Sequence, residues 1–280
     1  MKSRIPKDSL KVAIKSALSA GRLIQRNCRK LKTVKEDTLH DIKLDLDVQA
    51  QDLIESILFR AFKDIPVVGE EKSTINIDSE FRWVVDPIDG TVNYAYGIPH
   101  VAVAIALQRC IGNCDKHGKQ YLTELGVVYD PFKEELWTAE RNKVSRLNGK
   151  IIHVSTRSQL SDCIIAVGFA RFDSNFKKIL PQIEQLGPKV KKIRIMGSAA
   201  LDLVYVASGR LDAYWEAGVR LWDIAAGGLI LECAGGQFEH ALIQSPHFYH
   251  ILATNKLITS SLKSFIDNAF LISPDEYFCD

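Results

Sequence analysis

Two carboxylates three residues apart, Asp86 and Asp89, follow directly on the apolar run Phe81-Arg82-Trp83-Val84-Val85. The run predicts a strand that delivers Asp86 at its carboxyl end. Pro87 cannot continue a strand ladder, and Gly90 lets the backbone turn sharply close to a ligand. At an effective dielectric of about 20, unpaired carboxylates ~4 Å apart repel by about 4 kcal/mol, so acids facing one small volume must hold a proton or bind a cation. Hard oxygen donors favour magnesium. Taken alone, the pattern is equally that of solvated turn acids capping a helix. Two further apolar runs also end in acids, however. These are Val67-Val68-Gly69-Glu70-Glu71 and Leu221-Trp222-Asp223, the latter followed by the small, apolar segment Ile224 to Cys233. Three such endings can converge in an α/β architecture, where ligands sit beyond the carboxyl ends of strands and helix N-termini point partial positive charge at anions.

The rest of the chain reads as an α+β lobe followed by an α/β lobe. Helices are predicted over Leu10 to Asn27, with Leu10, Ala13, Ile14, Ala17 and Leu18 at helical spacing, and over Val48 to Phe62. Strands near Val67, Phe81 to Val85, Val101 to Leu107, Leu122 to Tyr129 and Glu135 to Ala139 predict a largely antiparallel sheet. From Asn148 onward the pattern alternates: strand-like Cys163 to Gly168, helical Phe176 to Leu186, strand-like Lys192 to Ile195, helical Ser198 to Ser208. The expected division is therefore residues 1–147 carrying most of the acids and 148–280 completing the site.

Composition fits a soluble enzyme. With 280 residues and 46% hydrophobic content, one large core or two modest lobes can form. A net charge of +2 calls for neither nucleic acid nor membrane, and the local basic run Arg26, Arg29, Lys30, Lys32, Lys35 reads as a solvated helix end and loop. No stretch approaches the ~18 uninterrupted apolar residues of a membrane-spanning helix. The six cysteines, at 28, 110, 114, 163, 233 and 279, show no framework spacing, and Met1-Lys2-Ser3-Arg4 does not open a secretory leader, which points to a cytoplasmic setting. Cys110, Cys114 and His117 have the spacing of half a zinc site without a second ligand pair, so a hairpin loop is expected there.

Four segments together resemble the magnesium-dependent, lithium-sensitive inositol monophosphatase family. Val68-Gly69-Glu70-Glu71 is similar to its G-E-E element. Asp86-Pro87-Ile88-Asp89-Gly90-Thr91-Val92-Asn93 matches D-P-I-D-G-T-x-N without a gap, and Trp222-Asp223-Ile224-Ala225-Ala226-Gly227 matches W-D-x-A-A-G. Asp41 to Asp47 stands in the place of D-x-V-T-x-x-D. The resemblance implies a layered α-β-α-β-α sandwich and two to three Mg²⁺ ions. Glu70, Asp86 and the Ile88 carbonyl would bind the first, and Asp86, Asp89 and Asp223 the second. It further implies water activation by Glu70 and Thr91 with Asp47 accepting the Thr91 proton, since a threonine is a poor base without such a partner. Phosphate oxygens would be held by Gly90 and Thr91 N–H groups and by the helix start at Ser198 and Ala199. Glu216 stands where the family's inositol phosphatases place an acid that bonds ring hydroxyls; Arg220 is nearby in sequence.

Bland alternatives accompany these roles: Asp223 and Asp47 as helix caps, Glu216 as a surface turn acid. The chain departs from the family pattern at Lys43-Leu44, which replaces Val-Thr, at the extra acid Asp45, and in a short loop from Ala241 to His247. The function expected is a Mg²⁺-dependent phosphomonoesterase acting on a small polyol phosphate, inositol monophosphate first, in a homodimer implied by the family. Fructose 1,6-bisphosphate, histidinol phosphate and 3′-phosphoadenosine 5′-phosphate are alternative substrates. A non-catalytic partner- or RNA-binding protein is the alternative from another class.

Overall fold

The computed structural model describes residues 4–29, 34–37, 42–72, 79–114, 118–169, 172–244 and 248–266. Asp41, Lys30, Lys32, His117, His247 and Cys279, considered above, lie outside them. Helix α1 (Ser9–Asn27) leads through strands β1 (Val34–Asp37) and β2 (Ile42–Leu44) to helix α2 (Asp45–Ala61). A seven-stranded sheet follows, built from β3 (Val67–Gly69), β4 (Phe81–Asp89), β5 (Ala102–Cys114), β6 (Gly118–Asp130), β7 (Glu135–Glu140), β8 (Arg146–Leu147) and β9 (Lys150–Ile151), in that spatial order. The short helix α3 (Thr91–Ala95) links β4 to β5. Only β3 runs parallel to its neighbour, so the sheet is largely antiparallel as expected. β5 and β6 pair out to Cys114 opposite Gly118, which makes that segment a hairpin. The final hairpin spans 146–151 and straddles the expected division at 147/148.

The second sheet has five strands: β10 (Ile164–Phe169), β11 (Lys192–Arg194), β12 (Ala213–Arg220), β13 (Gln237–Gln244) and β14 (Phe248–Thr254). Their spatial order is β11-β10-β12-β14-β13, parallel among the first three and antiparallel beyond. Helices α4 (Phe172–Leu186), α5 (Ala199–Ala207), α6 (Leu221–Cys233) and α7 (Thr259–Lys263) complete the chain. Residues 241–244 belong to β13 and are therefore strand, not the loop expected from sequence. Their pairing with β14 is a long-range property of the sheet that no local turn signal announces.

Side-chain alternation along the strands sets the layers. On the first sheet Trp83, Val85, Ile105, Leu107 and Val127 pack with Ala13, Ala17, Ala20, Ile54 and Leu58 of α1 and α2. The opposite face, with Val84, Ala104, Ala106 and Val128, packs on α5 and α6. Across those helices lie Tyr214, Ile251 and Ala253 of the second sheet. That sheet's other face, with Ile165, Val167, Trp215 and Leu252, is covered by Ile179 and Leu186 of α4 and by Leu262 of α7. The sequence is thus helices, sheet, helices, sheet, helices. Because α5 and α6 lie between two sheets, they are apolar on all sides, and every residue of α5 is buried.

The central helices approach the first sheet very closely. A Cβ added at Gly126 on β6 would lie 2.6 Å from the carbonyl oxygen and 3.1 Å from the Cα of Ala226 on α6. Backbone cannot swing aside as a side chain can. Gly126→Ala should therefore destabilise the protein by about 1–3 kcal/mol, the range for overpacking a dense core. Urea unfolding checks this, and an unchanged midpoint would mean that α6 has room to move.

Among the described residues no helix is long and apolar enough to cross a membrane. Cys28, Cys110, Cys163 and Cys233 are free thiols.

Candidate active site

The site is built first from the end of β4. This strand does not stop at Asp86, as expected, but runs to Asp89 through a bulge: Asp86 pairs with Ala104 and Asp89 with Ala102, so Pro87 and Ile88 stand opposite one residue. Pro87 has no N–H to give the ladder, and a bulge is where a strand tolerates that loss. Asp86 closes the bulge by accepting the Ile88 N–H at 3.0 Å. The Thr91 hydroxyl donates to the Ile88 carbonyl at 2.9 Å. At Gly90 the chain takes φ 92°, and a Cβ there would lie 3.0 Å from the His100 carbonyl and 3.1 Å from that of Gly197. Only glycine combines this φ with so close an approach.

Asp89 reaches across to α5. Its Oδ2 accepts the Ala200 N–H at 2.8 Å and the Ser198 hydroxyl, while Ser198 is also the N-cap of α5. Asn93 braces the same junction with its amide nitrogen 2.9 Å from the Met196 carbonyl and 3.0 Å from that of His100. Glu70 follows β3, whose parallel register sets Gly69 beside Val85, and its N–H bonds the Val85 carbonyl at 3.3 Å. Glu70 is thereby brought alongside Asp86. Gln51 of α2, fully buried, receives the Glu71 N–H at 2.9 Å and packs against Gly69.

Asp223 and Asp47 share one device. Both helices begin earlier than the sequence suggested, α6 at Leu221 and α2 at Asp45, so neither acid is the N-cap; each is the third helical residue. Each carboxylate bends back to accept the N–H of the residue before the helix, Arg220 for Asp223 and Leu44 for Asp47, both at 2.7 Å. This is the acidic half of a capping box, and it suits the positive end of the helix dipole. Asp47 is 2% exposed and does raise the neighbouring Tyr94 phenol by its charge, secondary to burial.

Asp86, Asp89 and Asp223 present carboxylate oxygens that all lie within 4.8 Å of one another. None forms an ion pair with a Lys or Arg among the described residues. Burial pushes Asp86 well above the usual carboxylate range, reinforced by the charges of Glu70, Asp89 and Asp223. Burial likewise raises Asp223, with Asp89 the next cause, and raises Asp89 to about 6 against the opposing bonds from Ser198 and Ala200. Two buried acids and a half-buried third that repel one another fit divalent cations coordinated by hard oxygens, with Glu70 and the Ile88 carbonyl at the same edge.

Glu216 is on β12, in the second sheet, and is no surface turn acid. Half-buried, its carboxyl accepts the Tyr214 hydroxyl and is raised to about 7 chiefly by loss of solvation. Asp202 of α5, 2% exposed, is also raised by burial and then by Glu216 and Asp89. The two sheets thus bring Asp86, Asp89, Glu70, Asp223, Ser198, Ala199 and Glu216 to one region. Sequence reasoning assigned no role to Gln51, Asn93, Asp202 or Tyr214; of these only Asn93 stood inside a motif that carried the resemblance.

A scan against family models matches residues 6–267 to the inositol monophosphatase family. This chain belongs to the inositol monophosphatase family. It is 37% identical over 235 residues to Nus factor SuhB of Pseudomonas aeruginosa, covering 81% of this chain and 83% of that one. It is 36% identical over 231 residues to an inositol-1-monophosphatase of Mesorhizobium japonicum, with the same coverage of 81% and 83%. Among solved structures, the extragenic suppressor protein SuhB of Bartonella henselae superposes with a TM-score of 0.82 at 32% identity, over 92% of this chain and 97% of that one. The Thermotoga maritima IMPase gives 0.80 at 28% identity, over 93% and 97%. The five-layer arrangement is the fold of this family.

The raised acids give the metal-free protein a defined pH dependence. Asp89 moves from 3.8 up to about 6, so the native state binds a proton that the unfolded chain has already released. Stability from this group is therefore full below pH 4 and falls as pH rises through about 6, and the higher-shifted Asp86 and Asp223 extend the decline. A bound cation offsets the repulsion and stabilises most where the acids are ionised. In chelator, Tm should be lower near pH 7.5 than near pH 5, and Mg²⁺ should raise it more at the higher of those roughly chosen values. An equal Mg²⁺ increment at both would remove the acids from the binding site.

Proposed function

We propose that this protein is a Mg²⁺-dependent phosphomonoesterase that hydrolyses a small polyol phosphate, inositol monophosphate first. The observation that carries the reading is the meeting of Asp86, Asp89 and Asp223 within 4.8 Å in a member of this family. Glu70, Asp86, Asp89, Asp223 and the Ile88 carbonyl would hold two to three Mg²⁺ ions, which when bound supply charge to polarise the phosphoryl group and acidity to a coordinated water. Glu70 and Thr91 orient that water, and Asp47 accepts the Thr91 proton. In the structure the Thr91 hydroxyl donates to the Ile88 carbonyl with the two oxygens 2.9 Å apart, so the relay requires the hydroxyl to rotate away from it. Gly90 and Thr91 N–H groups hold phosphate oxygens, Ser198 and Ala199 line the site, and Glu216 accepts from substrate hydroxyls.

The test is phosphate release from a panel of inositol, sugar, histidinol and nucleotide phosphates, with and without Mg²⁺. On the best substrate, Asp89→Asn should fold normally by circular dichroism yet lose at least about 10²-fold in kcat, because an amide cannot balance a second cation. Near-normal turnover would remove Asp89 from the metal shell. The relatives named Nus factor SuhB favour a second reading, in which a partner- or RNA-binding role accompanies or replaces catalysis. A well-folded protein that releases phosphate from no member of the panel with Mg²⁺ would decide for that reading.

We further propose a homodimer acting in the cytoplasm. Tyr96 and Ile195 are 76% and 61% exposed, with Val92 and Ile98 also open to solvent, on two segments that Asn93 ties together. Pairing two copies over these side chains would remove their apolar area from water. Sedimentation should give twice the chain mass, and Tyr96→Glu should shift the population toward monomer; a monomeric wild-type protein would overturn the proposal.

A further inference from the structure

Tyr214 and Glu216 are two residues apart on β12, so they project from the same face of the sheet. The Tyr214 hydroxyl donates to Glu216 Oε2. Tyr214 is fully buried, and burial holds its phenol well above the ordinary value, so it remains a donor near neutrality. On the adjacent parallel strand β10, Gly168 is registered with Glu216. A Cβ added at Gly168 would lie 2.0 Å from Glu216 Oε2 and 2.3 Å from its Cδ. The carboxyl group therefore lies across bare backbone, in space that any side chain at 168 would fill.

No Lys or Arg pairs with Glu216 among the described residues; the charge of Asp89 from β4 acts on it, and its own charge acts on Asp202 of α5 and Asp223 of α6. A cation would neutralise the carboxylate and weaken it as an acceptor for a substrate hydroxyl. A phenol holds one oxygen without removing the charge. A glutamate has several freely rotating bonds, and fixing them before the substrate arrives lowers the entropy lost on binding.

We infer that Tyr214 and Gly168 are positioning residues for Glu216, Tyr214 holding Oε2 by its hydroxyl and Gly168 leaving the space in which the carboxyl lies, so that Oε1 is presented to a substrate hydroxyl. The inference rests on the polyol reading of Glu216 given under Proposed function. It deepens that reading by locating hydroxyl recognition in a three-residue unit on two neighbouring strands, other elements than the β4 and α6 that carry the clustered acids.

The experiment uses the full chain with Mg²⁺ and reads one ratio, kcat/KM for inositol 1-phosphate divided by kcat/KM for 4-nitrophenyl phosphate, which has no ring hydroxyls to recognise. Tyr214→Phe removes one oxygen atom and should lower the ratio by roughly 3- to 15-fold. The nearest atoms that Gly168→Ala meets are the movable end of the Glu216 side chain, so it should keep the fold while displacing the carboxyl, and should lower the ratio at least as far. Glu216→Gln should lower it too, and adding Tyr214→Phe to Glu216→Gln should lower it little further, since residues acting as one unit are not additive. If Tyr214→Phe and Gly168→Ala leave the ratio intact while Glu216→Gln lowers it, the positioning inference is overturned and the polyol reading stands. If Glu216→Gln leaves the ratio intact, or neither ester is hydrolysed, the reading falls and takes the inference with it. Equal losses on both esters in Tyr214→Phe and Gly168→Ala would show a general disturbance of the site and likewise overturn the positioning role.

Discussion

Asp89 holds the two halves of the site in register. Its Oδ2 accepts from Ser198 and from the Ala200 N–H, residues 109 and 111 positions away, so the end of β4 and the start of α5 share one carboxylate. A buried carboxylate without a cation must be satisfied by donors, and here the donors come from a helix start that is already capped by the same serine. Asn93 adds a second tie between the same segments. With the junction fixed, Asp86 is fixed by its own bond to Ile88, and Glu70 follows from the register of β3 on β4.

Acids that repel one another can be kept together only by a scaffold too stiff to let them separate. Helix α6 supplies this by lying between the sheets at backbone contact with β6, which limits how far Asp223 can retreat. The third-residue acids of α2 and α6 serve the same end. Each side chain is committed through one oxygen to its own helix start, which leaves the other oxygen directed by the helix and not by chance rotamers. Capping and site construction are therefore one act in this fold, and the bland reading of Asp223 and the functional one do not compete.

What could be read from the sequence was local. The acids at 70, 86, 89 and 223 were visible because each ends an apolar run, and α1 was visible because its buried positions recur at helical spacing. The bulge at Pro87 was not visible, since it is defined by which residues of β5 stand opposite. Helix starts at Asp45 and Leu221 were missed because a third-residue acid and an N-cap acid look alike until the backbone bond is seen. The strands β12 to β14 carried no local announcement; they are settled by pairing across the second sheet. Gly168 is the clearest case, since nothing in its own surroundings in the chain links it to a glutamate 48 positions later, and only the parallel register does.

That register also divides the labour of the site. The acids that gather at 4.8 Å belong to β4 and α6, whereas Glu216 belongs to β12, between Gly168 of β10 and Ile251 of β14, with Tyr214 of its own strand bonded to its carboxylate. The two groups meet because α6 begins at the residue after β12 ends, so Glu216 and Asp223 are joined by one continuous strand-to-helix turn. Change at Glu216, Tyr214 or Gly168 alters an acid beside the cluster without touching a hydrogen bond that Asp86 or Asp89 makes. Asp89 is less free to change: one of its oxygens accepts from Ser198 and Ala200 at the start of a helix that both sheets pack against, and only a residue that keeps an acceptor there, as Asn does, preserves that junction.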